Sequence, residues 1–359
     1  MGKRLLATAM VIGLLGLTGG TALAEAESVD RKEVQQALDK LTHGGGALGA
    51  QARVTNGRDR VLARSGVAKL DTDEPVPLNG RFRVGSITKT FVSVVLLQLN
   101  AEGKLDLDAP VDKYLPGLID KTITVRQVLQ HTSGLYDYTR ALPLNDFESI
   151  RFKHWEPNEL LKLSTSQPLD FPPGTKWSYS NSNYIVAGLL VEKLTGRPYE
   201  QAVQRRILTP LRLNETVVPG DRSGIPGPHA HGYYTVKDKP VDVTRMNPSV
   251  AWAAGEMIST TGDLDTYVTA LAKGKLLKKA QLDEMTKTTA VSPDYGLGLG
   301  ITKLPCGVTV WGHGGGIFGY LTEMMTTPDA SKRLEASLST APTPGNNDGY
   351  EDLIKAAFC

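Results

Sequence analysis

FRVGSITKTFVSVVLLQLNA, residues 82–101, decides how the rest of the chain is read. Phe82-Arg83-Val84 reads as a short strand, Gly85 as a turn, and Ser86 as the opening of a helix that continues to about Ala101. After its first turn this helix is apolar on nearly every side, and a helix without a polar face belongs in the middle of a domain. Its first turn nevertheless holds Ser86 and, one turn later on the same face, Lys89. A core helix seldom spends that position on an unpaired Lys. A serine needs a nearby base to become a nucleophile, and a lysine partly desolvated against a core can serve if its pKa falls. The N–H groups of the helix start can stabilise developing negative charge. A Ser-x-x-Lys is expected about once by chance in a chain of this size, so the tetrapeptide by itself also fits a capping Ser beside a solvated Lys.

Working outward, residues 29–42 have helical spacing, and strand-like runs around 48–55 and 60–67 flank Asn56-Gly57, a dipeptide suited to a tight hairpin turn. Beyond Gly103 the pattern is helices and Pro-rich loops. Thr124 caps a short helix ending near His131, Pro157 or Asn158 starts another, and Ser182 to Leu194 forms a longer one closed by Gly196. Ser259, Thr260, Thr261 and Asp263 read as the cap of a helix over 262–273. Strand signals return at 296–302, 307–312, 319–326 and 333–339, and a helix over 348–358 follows. Strands from both ends around a helical block predict a discontinuous α/β domain, residues 25–103 and 251–359, with a helical domain at 104–250.

The composition suits a soluble globular protein: of 359 residues, 40% are hydrophobic and 22% charged. Lys and Arg number 40 against 38 Asp and Glu, with no long run of one sign, which argues against nucleic acid or a membrane surface as partner. Lys3 and Arg4 precede an apolar run from Leu5 to about Leu17, and Ala22-Leu23-Ala24 offers the small residues of a signal peptidase site. Residues 1–24 are therefore expected to be a secretory signal, and the mature protein an exported one without a membrane anchor. In an oxidising compartment Cys306 and Cys359, the two cysteines of the chain, are expected to join. A nucleophilic Cys is the less favoured alternative, and two cysteines alone cannot make a four-ligand metal site.

Further polar groups stand at predicted element ends. Tyr179-Ser180-Asn181 lies in a polar loop before the helix at 182–194, where a phenol can shuttle a proton and an amide can orient a substrate carbonyl or N–H. A packed Tyr next to an N-cap is the alternative. His313-Gly314-Gly315-Gly316 is read between two strands, where glycines allow close approach of a ligand. Trp311 and Phe318 nearby can wall a pocket or pack in the core. His43-Gly44-Gly45-Gly46 repeats the string but reads as a helix end, and His229-Ala230-His231 lacks further ligands and reads as a loop. There is no His-Glu-x-x-His, no Walker loop and no Gly-x-Ser-x-Gly elbow, the last of which argues against an α/β-hydrolase.

Taken together, Ser86-x-x-Lys89 on a buried helix, Tyr179-x-Asn181 from a helical insertion and His313-x-Gly315 from a returning strand resemble the penicillin-recognising serine hydrolases. The subgroup is that of the class C β-lactamases, D-alanyl-D-alanine carboxypeptidases, D-aminopeptidases and related esterases. FRVGS at 82–86, VLQHTSGL at 128–135, FPPG at 171–174 and YSN at 179–181 extend the likeness, which covers essentially residues 28–359. The nearest pattern is that of the secreted actinomycete D-alanyl-D-alanine carboxypeptidases, which share the position of the Cys306 and Cys359 pair. The resemblance implies a β-lactamase/transpeptidase-like α/β fold, an antiparallel sheet flanked by helices with a mostly helical inserted domain. It implies a hydrolase of D-amino-acid peptides of peptidoglycan type, acylated by β-lactams, monomeric and without metal or organic cofactor. Ser86 would attack a carbonyl, Lys89 and Tyr179 would pass its proton to the leaving group, and water would later release the acyl group. The N–H groups of Ser86 and Gly316 would hold the oxyanion. Asn181, Trp252, Gly314 and Gly315 would contact substrate, with His313 beside Tyr179.

Carboxypeptidase members hold the terminal carboxylate with an Arg on the preceding strand and with hydroxyls next to the His, and these places fall here on Gly300, Gly314 and Gly316. Losing a bidentate Arg removes a strong, geometry-specific contact. Lys303, close in sequence, is the cation available to replace it. The glycines enlarge the site and suit an amide, an ester or a longer chain. An esterase or β-lactamase, and a penicillin-binding sensor with a long-lived acyl-enzyme, are the other readings.

Overall fold

A computed structural model describes residues 28–44, 46–236, 239–341 and 348–359. The expected signal segment, residues 1–24, lies outside the described residues. Among the described residues there are ten strands: β1 (Ala47–Asn56), β2 (Asp59–Gly66), β3 (Phe82–Arg83), β4 (Tyr233–Val236), β5 (Lys239–Asp242), β6 (Ile258–Ser259), β7 (Gly300–Lys303), β8 (Thr309–Ile317), β9 (Tyr320–Thr326) and β10 (Lys332–Thr340). Six form an antiparallel sheet in the order β2-β1-β10-β9-β8-β7, so the first hairpin lies beside the last strand of the chain. Two small pairs, β3 with β6 and β4 with β5, stand apart from it.

The helices are α1 (Arg31–His43), α2 (Thr88–Ala101), α3 (Val125–Leu129), α4 (Phe147–Ile150), α5 (Pro157–Thr165), α6 (Ser182–Thr195), α7 (Tyr199–Val203), α8 (Thr209–Leu211), α9 (Thr261–Ala272), α10 (Lys279–Thr286) and α11 (Asp348–Phe358). The terminal helices α1 and α11 pack together over one face of the sheet, where Leu38, Leu41, Leu353 and Phe358 meet Val54, Leu334 and Ala336. The other face carries α9 and the start of α2. Local capping accounts for several boundaries. Asp30 accepts the Lys32 and Glu33 N–H groups, Thr124 forms a reciprocal box with Gln127, and Thr260 accepts from Asp263 N–H.

Helix α2 is buried all round, with Phe91, Val92, Val94, Val95, Leu96, Leu97 and Leu99 fully out of solvent. It crosses α6, and together they make the centre of the larger core. Truncating any one of these Leu side chains removes both its transfer free energy and its packing partners, a loss of about 2–5 kcal/mol. That rigidity is what fixes the first turn, a short 3₁₀ segment over Gly85–Ile87 that carries Ser86.

Three expectations are corrected. The strand read at 307–312 is longer, and His313 to Gly316 lies within β8 rather than between strands, because glycine can pair in a ladder whose neighbours press too close for side chains. The strand read at 296–302 begins at Gly300, since Gly298 takes φ +77° in the preceding turn. The hairpin β4–β5 falls inside the block expected to be helical.

Cys306 and Cys359 are disulfide-bonded, closing a loop of 53 residues and tying the end of α11 back to the β7–β8 turn. On the chain-entropy account such a loop stabilises by about 4 kcal/mol. Replacing both cysteines by Ser is expected to lower the stability measured by urea unfolding by that order, with the slope of the unfolding curve rising as the freed chain expands.

Candidate active site

The Lys89 side chain is fully buried, and its Nζ lies 2.9 Å from Ser86 Oγ, 2.8 Å from Asn181 Oδ1 and 2.6 Å from the Ala254 carbonyl oxygen. Burial drives its pKa from the ordinary lysine value down to about 7, a shift that the nearby Asp137 carboxylate opposes. The three neighbours are not equivalent. The Ala254 carbonyl and the Asn181 oxygen can only accept, whereas the Ser86 hydroxyl can either accept or donate. When Lys89 loses its proton, the two carbonyl-type acceptors keep its two N–H groups and the lone pair is left facing Ser86, whose O–H can then donate to it.

The Asn181 amide is oriented by the charges on each side: its oxygen takes Lys89, and its Nδ2 donates to Asp137 Oδ2 at 3.0 Å. Asp137 itself is held by capping Thr139 N–H through its other oxygen. Lys89, Asn181 and Asp137 thus form one chain of hydrogen bonds between α2, the start of α6 and the segment after α3.

Tyr179 stands beside this chain, with Lys89 Nζ 5.0 Å from its ring centre. Its hydroxyl is buried with no hydrogen-bond partner of ordinary geometry, and burial raises its pKa, an effect that the adjacent Ser86 hydroxyl opposes. At neutral pH the phenol therefore keeps its proton while the lysine can give one up. The ring is fixed from behind by His131, stacked on it with centres 4.2 Å apart. His131 holds both residues flanking the tyrosine: its carbonyl accepts from Ser178 N–H at 3.0 Å and its Nδ1 from Ser180 N–H at 3.2 Å. Since Nδ1 also accepts from Asn183 Nδ2, the imidazole proton resides on Nε2, and burial beside Lys89 keeps the ring neutral by lowering its pKa well below the usual value.

Strand β8 closes the site. β7 pairs with it only as far as Gly312, and the stretch beyond meets the turn that carries Ser86. A Cβ on Gly315 would lie 2.0 Å from the Val84 carbonyl oxygen, and one on Gly85, where φ is +52°, would lie 2.8 Å from Gly316 N. Glycine at both positions is what lets the Gly316 backbone come against that of Ser86, as an oxyanion pocket made of main-chain N–H groups requires. His313 Nε2 accepts from the Tyr295 hydroxyl at 2.8 Å while its Nδ1–H donates to the Gly314 carbonyl oxygen, and its ring centre is 6.3 Å from that of Tyr179. Burial and the Lys89 charge lower its pKa to about 4, so it too is neutral.

Ser86, Lys89, Tyr179, Asn181, His313 and Gly314 to Gly316 are thus brought together from three distant parts of the chain. Trp252 is placed differently from a substrate contact: its ring packs edge-on against Tyr199 and over Gly188 in the core, and its link to the site is the turn that presents the Ala254 carbonyl. Phe318 joins Phe147 and Tyr234 in an aromatic cluster. Lys303 is carried away from the site. The β7–β8 register sets it opposite Thr309, four residues before His313, which is about 13 Å along the strand, and it is exposed. His131, Asp137, Tyr295 and the exposed Trp177, whose ring lies 6.0 Å from that of Tyr295, were not singled out from the sequence. The VLQHTSGL string contained the signal for the first of them.

Residues 34–355 match the family described as Beta-lactamase. Among solved structures, a D-stereospecific amidohydrolase from Streptomyces sp. superposes with a TM-score of 0.85 at 43% identity, over 92% of this chain and 99% of that one. A D-amino acid amidase from Ochrobactrum anthropi SV3, solved with L-phenylalanine amide, superposes with a TM-score of 0.80 at 27% identity, over 90% of this chain and 97% of that one. Penicillin-binding protein 4* of Bacillus subtilis (strain 168) is 28% identical over 297 residues, 75% of this chain, and the match spans 63% of that protein's length. With a family match over nearly the whole described chain and a shared fold of one sheet flanked by helices, the protein belongs to the beta-lactamase family, in the serine hydrolase group that includes penicillin-binding proteins and D-amino acid amidases.

Proposed function

We propose that the protein is a D-stereospecific amidohydrolase that cleaves the amide bond following a D-amino acyl residue through an acyl-enzyme on Ser86. The observation that carries this reading is the 43% identity to the Streptomyces D-stereospecific amidohydrolase over 99% of that chain. The geometry supports the same chemistry. Lys89 Nζ takes the Ser86 proton as Oγ attacks the substrate carbonyl, and the Ser86 and Gly316 N–H groups receive the oxyanion. Tyr179, protonated and adjacent to both Ser86 and His313, passes a proton to the departing nitrogen as the C–N bond breaks. The Lys89 ammonium then returns its proton to the Tyr179 oxygen, water attacks the ester as the free amine takes its proton, and that proton passes to the departing Ser86 Oγ as the acid is released. β-Lactams are expected to acylate the same hydroxyl. The sequence of residues 1–24 and the Cys306–Cys359 bridge support an exported enzyme.

A D-alanyl-D-alanine carboxypeptidase is the second reading, favoured by the resemblance carried by Ser86-x-x-Lys89, Tyr179-x-Asn181 and His313-x-Gly315. Hydrolysis of D-phenylalanine amide is expected to exceed that of the L-isomer by at least about 100-fold in kcat/KM, about 2.7 kcal/mol of discrimination between transition states. Equal rates for the two isomers would overturn the D-specific reading. Cleavage of diacyl-Lys-D-Ala-D-Ala with no turnover of its C-terminal amide would replace it with the carboxypeptidase.

A further inference from the structure

The shortest of the three contacts to Lys89 Nζ comes from a main-chain atom, and the turn that supplies it is strained. Ala254 ends a 3₁₀ segment over Trp252–Ala254, and its carbonyl oxygen is 2.6 Å from Lys89 Nζ. Trp252, which opens that segment, takes φ +37°, a left-handed conformation that a bulky side chain adopts only when its surroundings impose it. Its carbonyl oxygen accepts from Gly255 N–H and Glu256 N–H, each at 3.0 Å, so the chain doubles back around Ala254. Just beyond, the chain is tied to both flanks of Ser86. Met257 N–H donates to Thr88 Oγ1 at 3.2 Å, and the Met257 carbonyl oxygen accepts from Val84 N–H at 2.9 Å. Any relaxation of the turn therefore moves the Ala254 oxygen relative to a fixed Ser86.

Two side chains impose the conformation. The Trp252 ring is seated over Gly188 of α6, where a Cβ would come within 2.6 Å of it, and edge-on against Tyr199 of α7, with ring centres 4.9 Å apart. The Tyr199 hydroxyl donates to Glu256 Oε1, which closes a ring of contacts from Trp252 through Tyr199 back to the turn. Tyr199 and Glu256 are both buried, so neither meets a substrate. The second Glu256 oxygen is buried without a hydrogen-bond partner of ordinary geometry, which leaves the Tyr199 hydroxyl as the side-chain bond this carboxyl makes.

We propose that Glu256 and Tyr199 are positioning residues for the Ser86 reaction, a latch on the 252–256 turn that keeps the Ala254 carbonyl on one Lys89 N–H and the amine lone pair aimed at Ser86 Oγ. The proposal rests on the reading of Ser86 as nucleophile and Lys89 as its base. The Lys89 amine can rotate about its bond to Cε, and two fixed acceptors are needed to leave its lone pair a single direction. Asn181 Oδ1 is one of them, and Asp137 holds that amide. The Ala254 oxygen is the other, and it stays in place only while the turn does. With the latch broken, Trp252 can relax toward an unstrained φ and the Ala254 oxygen withdraws. The lone pair is then no longer confined to Ser86, while the surface that binds substrate is unchanged. The loss falls on the rate of acylation and spares binding.

Stopped-flow acylation by a chromogenic β-lactam at pH 7 separates the dissociation constant of the first complex from the acylation rate constant. Tyr199→Phe keeps the ring against Trp252 and loses only the hydroxyl, and Glu256→Met fills the same space without an acceptor. Each is expected to slow acylation at least about 30-fold with the dissociation constant unchanged. The double variant is expected to be no slower than the slower single one, because either change breaks the same bond. Burial pushes the Glu256 carboxyl up to about 8, opposed by the Tyr199 hydroxyl, so at pH 7 the neutral acid predominates and Gln copies it. Glu256→Gln is therefore expected to acylate close to the wild-type rate. Residues that only stabilised the fold would shrink the fraction of protein acylated and leave the rate constant of that fraction as it was. The latch is overturned if Tyr199→Phe and Glu256→Met acylate at the wild-type rate, if their losses multiply in the double variant, or if Glu256→Gln is as slow as Glu256→Met. A wild-type protein that the β-lactam leaves unacylated overturns the reading of Ser86 instead, and this inference with it.

Discussion

Ser86→Ala is expected to abolish the covalent adduct with a fluorescent penicillin and to lower amide turnover by about four orders of magnitude or more. The size follows from the position of the hydroxyl. Its oxygen is the only group on the first turn of α2 that is partly open to the cleft and also bonded to Lys89, so no neighbouring side chain can take over the attack. What remains after the change is the binding surface and the main-chain N–H groups, which accelerate attack by water only modestly. The variant should fold, because the helix is held by its apolar residues and Lys89 retains the Asn181 and Ala254 acceptors. Intact-mass spectra after incubation with the penicillin give the answer: the wild-type protein gains the mass of the opened lactam and the variant does not. An adduct on Ser86→Ala would place the nucleophile elsewhere and dismantle the arrangement argued above.

The centre of this arrangement was legible in the sequence because it depends on local rules. An all-apolar helix must be buried, and a Lys on its first turn must then be buried with it, which the full burial of Lys89 bears out, while Ser86 stays partly open to the cleft. The antiparallel sheet flanked by helices likewise followed from strand signals at the two ends of the chain and the family likeness. What the sequence did not carry were contacts made by approach. His131 grips the backbone on both sides of Tyr179 only because the chain after α3 folds back on the loop before α6, some fifty residues later. Lys303 looked available as a cation from its nearness in number to Gly300, yet the antiparallel register carries it away from His313. Glu323 gave no signal at all as one acid in an alternating strand. The structure sets it opposite Gly314 and hydrogen-bonds it to the Tyr350 hydroxyl. Trp252 failed in the other direction, since its backbone turn is used while its ring is spent on packing against Tyr199.

Lys89→Met is expected to slow acylation by about 10³-fold or more and, more tellingly, to remove its pH dependence near neutrality. The sign comes from the two shifted groups. Burial lowers the Lys89 pKa to about 7 and raises that of Tyr179, so at pH 8 the amine is largely free and the phenol still protonated. Only the free amine can take the Ser86 proton. In the wild-type enzyme acylation should therefore be level above about pH 7 and fall tenfold for each unit below it, as the ammonium accumulates. Tyr179→Phe should lower the rate while keeping that inflection, because it removes the donor to the leaving nitrogen and leaves the base in place. Asp137→Asn should move the inflection to lower pH, since the Asp137 carboxylate is the charge that holds the Lys89 pKa up against burial. Stopped-flow acylation by a chromogenic β-lactam across pH 5 to 9 measures all four proteins in the same way. If the inflection survives in Lys89→Met and vanishes in Tyr179→Phe, the phenol is the base, and the lysine serves only to hold Ser86 and Asn181 in place.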